Sequence, residues 1–326
     1  MTQPAGHGRL GDVLPSCFRA TEASRLVRID TSRLSHVAGS LAAALPSTMR
    51  HTPHHLLGEP EETVAYFLVL DTLNFGSGFF GHLAPYRGEQ GYYAVATALR
   101  DWIVRDGVPS PDVLKAMRPG QVSDILGQTA DPALAQLTIW FADALRELGR
   151  FTDEVLGGRF RNILSVSDHT ASGMVAQLCR MPMFRDKALL DGREVSFLKR
   201  AQICVQDIAI AASEDGLAAL HIQELDRLTV FADNMLPFIL EAEGILVYAD
   251  DLSTRIEAGE DLHMGSRAET ELRANSIVAC ELLRQELQRK GISVTAREID
   301  FALWNQGDRQ SASSPRRLHV CRSYFY

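Results

Sequence analysis

The sequence predicts a mostly α-helical fold with a few short strands, and three observations predict it. Ser266 followed by Glu269 makes a capping box, and Gly291 supplies a stop about seven turns later. Residues 111–149 place Asp and Pro starts and Gly stops around short amphipathic runs. Between Gly192 and Gly216 there is neither Gly nor Pro, so nothing interrupts a helix there.

Taken in order, residues 1–20 are Gly- and Pro-containing without evident periodicity and read as a loose surface arm. Residues 21–326 then form one helical unit, and the Gly/Pro-rich stretch 76–91 is where a division into two lobes would fall. The run Val64–Leu70 is apolar throughout but too short for periodicity to separate strand from helix. In a helix over 196–213, Phe197, Ala201, Cys204, Val205 and Ile208 share one face while Ile203 and Ile210 lie opposite, which predicts burial on both sides. Lys199 projects with Ile203 and Ile210. Such a lysine either snorkels to water, the commoner outcome, or points into a pocket.

Pro237 disfavours a helical Leu236 and suits the first turn of a helix spanning Phe238–Val247. Asp233 and Asn234 then sit in the turn ahead of it. An aspartate there is most often a cap or an Asx-turn; the sharper reading is a carboxylate held beside Phe231 and Met235, facing a substrate that develops positive charge. In the helix after Ser266, Leu272, Ala279, Cys280, Leu283 and Leu287 form a core-facing stripe. Glu269 and Arg273, one turn apart near that stripe, read either as a structural ion pair, the commoner outcome, or as an interior pair that positions something. Asn305–Arg317 reads as a polar loop before a short closing segment, Leu318–Tyr326.

With 33 basic against 41 acidic side chains the net charge is −8, so no overall electrostatic attraction favours duplex nucleic acid or an anionic membrane. The five scattered cysteines imply neither a disulfide framework nor a zinc cluster, and those amid apolar neighbours behave as small hydrophobes. No leader-like apolar region opens the chain and no run reaches transmembrane length, which predicts a cytoplasmic protein. Gly76–Gly81 matches G-x-G-x-x-G with Asp101 beyond it, yet Pro85, Gly88 and Gly91 break the helix that a dinucleotide would need. His51, His54 and His55 surround Pro53 without a zinc-like carboxylate spacing and read as a solvated turn. There is no G-x-S-x-G elbow and no P-loop.

Seven segments together resemble one family, the queuosine salvage proteins, across roughly residues 30–305. They are Leu70–Phe75 (LDTLNF), Gly91–Tyr93 (GYY), Phe184–Asp186 (FRD), Lys199–Ile203 (KRAQI), Leu228–Asp233 (LTVFAD), Glu269–Arg273 (ETELR) and Ile299–Trp304 (IDFALW). The resemblance implies hydrolysis of queuosine or its 5′-monophosphate to release queuine, and a helical fold similar to helix-hairpin-helix DNA glycosylases, whose DNA-gripping Leu-Pro-x-Val-Gly hairpin is not found in this sequence. It implies no metal or organic cofactor, and a small-molecule partner. The chain departs from the family pattern at Gly76–Phe80, where an aromatic pair including Trp is usual, and at Asn234–Phe238, where the family has Tyr-Arg-Val-Pro-Gln.

Under that resemblance Asp233 is the catalytic carboxylate that stabilises an oxocarbenium-like sugar and activates water. Lys199 assists the leaving base or orients the aspartate or sugar. Queuine has carbon where a purine has N7, so its departure needs donors elsewhere. Asp71 is assigned to the N1–H and 2-amino edge of the base, with Asn74 beside it. Phe75, Phe79, Tyr92, Phe231 and Trp304 are the candidate stacking rings. Glu269, Glu271, Arg273 and Asp300 are assigned to sugar contacts or to support behind them. Two other readings remain: a binding protein for a modified nucleoside or base, which would be stabilised by ligand without forming product, and a glycosylase acting on nucleic acid, whose binding would fall steeply with salt.

Overall fold

The computed structural model describes residues 8–45, 48–129, 131–311 and 314–326. The described helices are α1 (Leu10–Glu22), α2 (Leu34–Ala44), α3 (Pro60–Leu73), α4 (Gly91–Asp106), α5 (Pro111–Lys115), α6 (Pro119–Ile125), α7 (Ala135–Glu154), α8 (Asn162–Val166), α9 (Ala171–Leu178), α10 (Lys199–Ala211), α11 (Met235–Ala242), α12 (Asp250–Glu257), α13 (Arg267–Arg289) and α14 (Ala296–Ser311). The described strands are short: β1 (Val27–Ile29) pairs antiparallel with β4 (Leu246–Tyr248), and β2 (Lys187–Leu190) with β3 (Arg193–Ser196). The mostly helical expectation therefore holds. Among the described residues no helix is long and apolar enough to cross a membrane.

Two helices are buried on every side over more than half their length and organise the rest. Helix α13 is buried from Ala268 to Cys280 without a break, under α1, α2, α11 and α14. Its start is capped as expected: Ser266 Oγ accepts from Glu269 N at 3.3 Å. The reciprocal half of the box is absent, because Glu269 instead accepts from Gly265 N and from Arg273. Its end is a Schellman turn, with Ile292 N donating to Leu287 O and Gly291, at φ 81°, donating to Gln288 O. Helix α3 contains the ambiguous Val64–Leu70 run and is buried from Thr63 to Leu73 between α4, α7 and α10. A helix covered all round has no polar stripe, so its sequence carries no period to read.

Several local expectations are corrected. Residues 1–7 of the expected arm lie outside the described residues, but 10–22 form α1 rather than a loose arm. Leu10, Val13 and Cys17 follow helical spacing and pack against α13, and this burial outweighs Gly11 and Pro15. The Gly192–Gly216 stretch is not all helix: β2 and β3 form a hairpin through Asp191 and Gly192, both at positive φ, and α10 begins only at Lys199. Helix α11 starts three residues before Phe238, includes Leu236, and stops before Gly244; Val247 belongs to β4. The polar stretch from Asn305 to Ser311 continues α14 instead of forming a loop, since Leu303 and Gly307 remain buried on its inner face. Residues 312 and 313 of that expected loop lie outside the described residues.

Gly149 does not stop a helix but lies inside α7. A Cβ at this position would sit 2.7–2.8 Å from Lys115 N, Leu114 Cβ and Pro111 O, so the glycine lets α5 rest against the backbone of α7. Gly149→Ala is accordingly expected to destabilise the protein by about 1–3 kcal/mol through overpacking, read as a lower urea midpoint. An unchanged midpoint would mean that α5 moves away freely.

Candidate active site

A cavity of about 740 Å³ opens among α10, α14, the first residues of α4 and α11, and the turn that follows α3. Helix α10 presents Lys199, Ile203, Gln206, Asp207 and Ile210 to it, and α14 presents Asp300, Phe301, Trp304 and Asp308. Each set repeats at three- and four-residue spacing, so each is one face of its helix. Lys199 therefore points into a pocket, against the commoner snorkelling outcome, and is 4% exposed.

Asp233 reaches the cavity from an extended segment, residues 228–233, whose backbone has neither helix nor strand partners. Side chains supply those partners. Thr229 N donates to Gln202 Oε1 at 2.8 Å, Phe231 N to Asp300 Oδ1 at 2.7 Å, and Ala232 O accepts from Arg273 Nε at 2.9 Å. Asp233 Oδ1 in turn accepts from Met235 N at 2.8 Å and Leu236 N at 3.3 Å, at the start of α11. The capping reading is thus met, and the same half-buried side chain, anchored through one oxygen at a helix N-terminus, also lines the cavity.

Lys199 is fixed equally firmly. Asp186 O accepts from Phe197 N and Leu198 N, and Asp186 Oδ2 accepts from Lys199 N at 3.1 Å. Leu198, fully buried, is held at φ 53°, a left-handed conformation unusual for leucine, just before the helix starts. Lys199 Nζ donates to Asn74 O at 3.4 Å. Burial lowers its pKa, while the charges of Asp233 and Asp71 work in the opposite direction. One buried guanidinium joins the two anchors: Arg273 binds Asp186 through both terminal nitrogens, 2.9 and 2.5 Å, and Ala232 O through Nε.

Of the sequence-assigned residues, Asp233, Lys199, Asn74, Phe75, Tyr92, Phe231, Asp300 and Trp304 line this one cavity. Asp71, Glu269, Glu271 and Arg273 do not. Asp71 is fully buried beneath the wall because α10 packs across α3 there; its Oδ1 accepts from Asn74 Nδ2 at 3.2 Å and its Oδ2 is buried without a hydrogen-bond partner. Glu269 neutralises Arg273 at 3.1 Å behind the site. Glu271 accepts from the backbone N–H groups of Arg25, Leu26 and Val27 and so sets the start of β1. Phe79 packs edge-on against Trp140, off the cavity.

Sequence reasoning missed three groups. Asp207 lies on the cavity face of α10, four residues after Ile203, a signal that the spacing carried; burial, and then the neighbouring Asp71 carboxyl, hold it well above the usual carboxylate range. His51 and His55 do lie at a turn, closed by His55 N donating to Thr52 O at 3.1 Å, but both line the cavity instead of facing solvent, and nothing in their local pattern announces it. Arg200, fully buried, donates to Thr72 O at 2.5 Å and Tyr324 O at 2.8 Å, caps the end of α3, and holds Phe75 beneath its guanidinium. The Gly76–Gly81 motif follows a helix, not a strand, and forms the 3₁₀ turn Ser77–His82, so it lacks the strand–turn–helix setting of a dinucleotide site.

Residues 54–326 match the model of a family described as queuosine salvage protein. The chain is 33% identical to the queuosine 5′-phosphate N-glycosylase/hydrolase of Sphaerobacter thermophilus, covering 98% of each chain. Proteins of the same name from Mus musculus and Bos taurus are 30% and 28% identical, over 76% and 82% of this chain and 77% and 83% of theirs. A cavity of about 740 Å³, walled by aromatic rings and carrying a helix-anchored carboxylate beside a buried lysine, thus sits in a chain that belongs to the queuosine salvage protein family.

Proposed function

We propose that this protein is an N-glycosidase that hydrolyses queuosine or its 5′-phosphate to release queuine. The observation that carries the reading is the anchoring of Asp233: one oxygen is tied to the first N–H groups of α11 while the side chain lines the cavity that Lys199 also enters. The names of the relatives supply the substrate class.

As the C1′–N9 bond breaks, its electron pair leaves with the base and C1′ becomes cationic. The remaining oxygen of Asp233 is available to face that carbon and to take a proton from the incoming water, whose oxygen forms the new bond to C1′. The departing 7-deaza base has no N7 to protonate. Lys199, whose pKa burial has lowered, is suited to supply a proton or hydrogen bond to the base as N9 departs. Phe75, Phe231 and Trp304 give the apolar faces against which a base stacks.

Asp207 replaces Asp71 as the reader of the guanine-like edge, because Asp207 lines the cavity and Asp71 lies beneath it. Asp207→Asn is expected to weaken queuine binding about two- to tenfold, the usual worth of a hydrogen bond to an uncharged group, as measured by calorimetry. Equal affinity would remove Asp207 from base recognition. The activity itself is tested by incubating the protein with queuosine, its 5′-phosphate and guanosine and detecting released base by mass spectrometry. Release of queuine from the phosphate is expected; stabilisation by ligand without any product would make it a binding protein instead.

A further inference from the structure

We infer that the Tyr92 hydroxyl offers the cavity a hydrogen-bond acceptor and no donor, so that the group it meets is an N–H or O–H of the bound base and not a carbonyl or phosphate oxygen. The inference deepens the proposed function and rests on it for the identity of the ligand. Its basis is a chain of three hydrogen bonds whose direction is fixed at one end.

A backbone carbonyl only accepts, so the 2.9 Å contact between His51 Nε2 and Asp207 O places a proton on that nitrogen. His51 is neutral, since burial pushes its pKa down to about 4. Its Nδ1 therefore carries a lone pair. The 2.9 Å contact between the Nδ1 atoms of His51 and His55 needs one proton, and it must then belong to His55. Burial, and then the two neighbouring histidines, push the His55 pKa down to about 3. Its Nε2 is thus a bare lone pair, 2.8 Å from Tyr92 Oη, and the phenol donates its single proton there. Only lone pairs remain on that oxygen for a ligand. A charged His51 would still donate to Asp207 O but would reverse the other two bonds of the chain. The stacking of His51 on Phe67, at 4.5 Å between ring centres, and the edge-on approach of His55 to the same ring enclose the pair in apolar surface that disfavours the charge.

The stacking role assigned to Tyr92 from sequence gives way to one of selecting polarity. Its ring stands edge-on to Trp304, 73° between planes, while its hydroxyl is committed to His55. His51 and His55 are positioning residues for that hydroxyl, and Asp207 contributes its backbone carbonyl to the chain and its carboxyl to the same cavity.

Long-range proton–nitrogen correlation spectra of the full chain at neutral pH, with signals assigned from single-histidine variants, test the direction of the chain in the free protein. His51 protonated only on Nε2 and His55 only on Nδ1 is the expected result; His55 protonated on Nε2 overturns the inference whatever the protein's activity. In Tyr92→Phe the melting temperature should stay close to that of the unaltered protein. The His55 Nε2 signal should move toward that of an unbonded nitrogen, and queuine should bind about tenfold more weakly. Unaltered queuine affinity in Tyr92→Phe also overturns it. Failure of the unaltered protein to release queuine counts against the proposed function alone, because the protonation pattern is read without substrate.

Discussion

Asp233→Asn is expected to lower kcat by about two to three orders of magnitude, corresponding to about 3–4 kcal/mol of transition-state stabilisation, with little change in substrate affinity or melting temperature. The asparagine oxygen can still accept from Met235 N and Leu236 N, so the cap of α11 survives and the fold is not the variable. On the proposed mechanism, what is removed is the negative charge that faces C1′ as that carbon becomes cationic. Single-turnover measurements with queuosine 5′-phosphate separate the two quantities: a fall in the chemical rate at constant Kd is the expected pattern. Undiminished turnover would exclude Asp233 from the chemistry and transfer attention to Asp300, the next carboxylate on the same wall.

The second large effect is on stability. Arg273→Met leaves Asp186 and Glu269, both about 97–99% buried as side chains, without their cation. Removing one partner of a buried ion pair costs about 3–5 kcal/mol, because the remaining charge has no compensation, and a corresponding drop in the urea midpoint is expected. The triple variant Arg273→Met, Asp186→Leu, Glu269→Leu removes all three charges and should recover most of that loss. Activity should not recover with it. Asp186 supports the turn before Lys199, and Arg273 holds Ala232 O beside Asp233, so an apolar core in their place leaves both segments without their anchors. Recovery of turnover in the triple variant would show that the two segments hold their geometry unaided.

Much of this site is written in local pattern. Lys199 shares a helix face with Ile203 and Ile210, and Asp207 continues that same face, so its place on the wall was readable from spacing alone. Asp233 ahead of a helix start was readable from Pro237 and the apolar run behind it. His51 and His55 were not readable, because neither belongs to a periodic element; α3 and α10 bring Phe67 and Asp207 to them. Asp71 shows the opposite failure. Its spacing from Asn74 places both near one side of α3, but the packing of α10 covers the first and leaves the second facing the cavity.

By itself the sequence determined the helical class, the capped start and glycine end of α13, and the segments that carry Asp233 and Lys199, since caps, glycine stops and apolar spacing act over a few residues. The tertiary structure decided which polar groups share the cavity, that Arg273 joins the segments carrying Asp233 and Lys199 from behind, and that the Tyr92 hydroxyl meets His55. Those outcomes depend on contacts between residues scores of positions apart, where desolvation and hydrogen-bond direction are set by neighbours that no local pattern specifies.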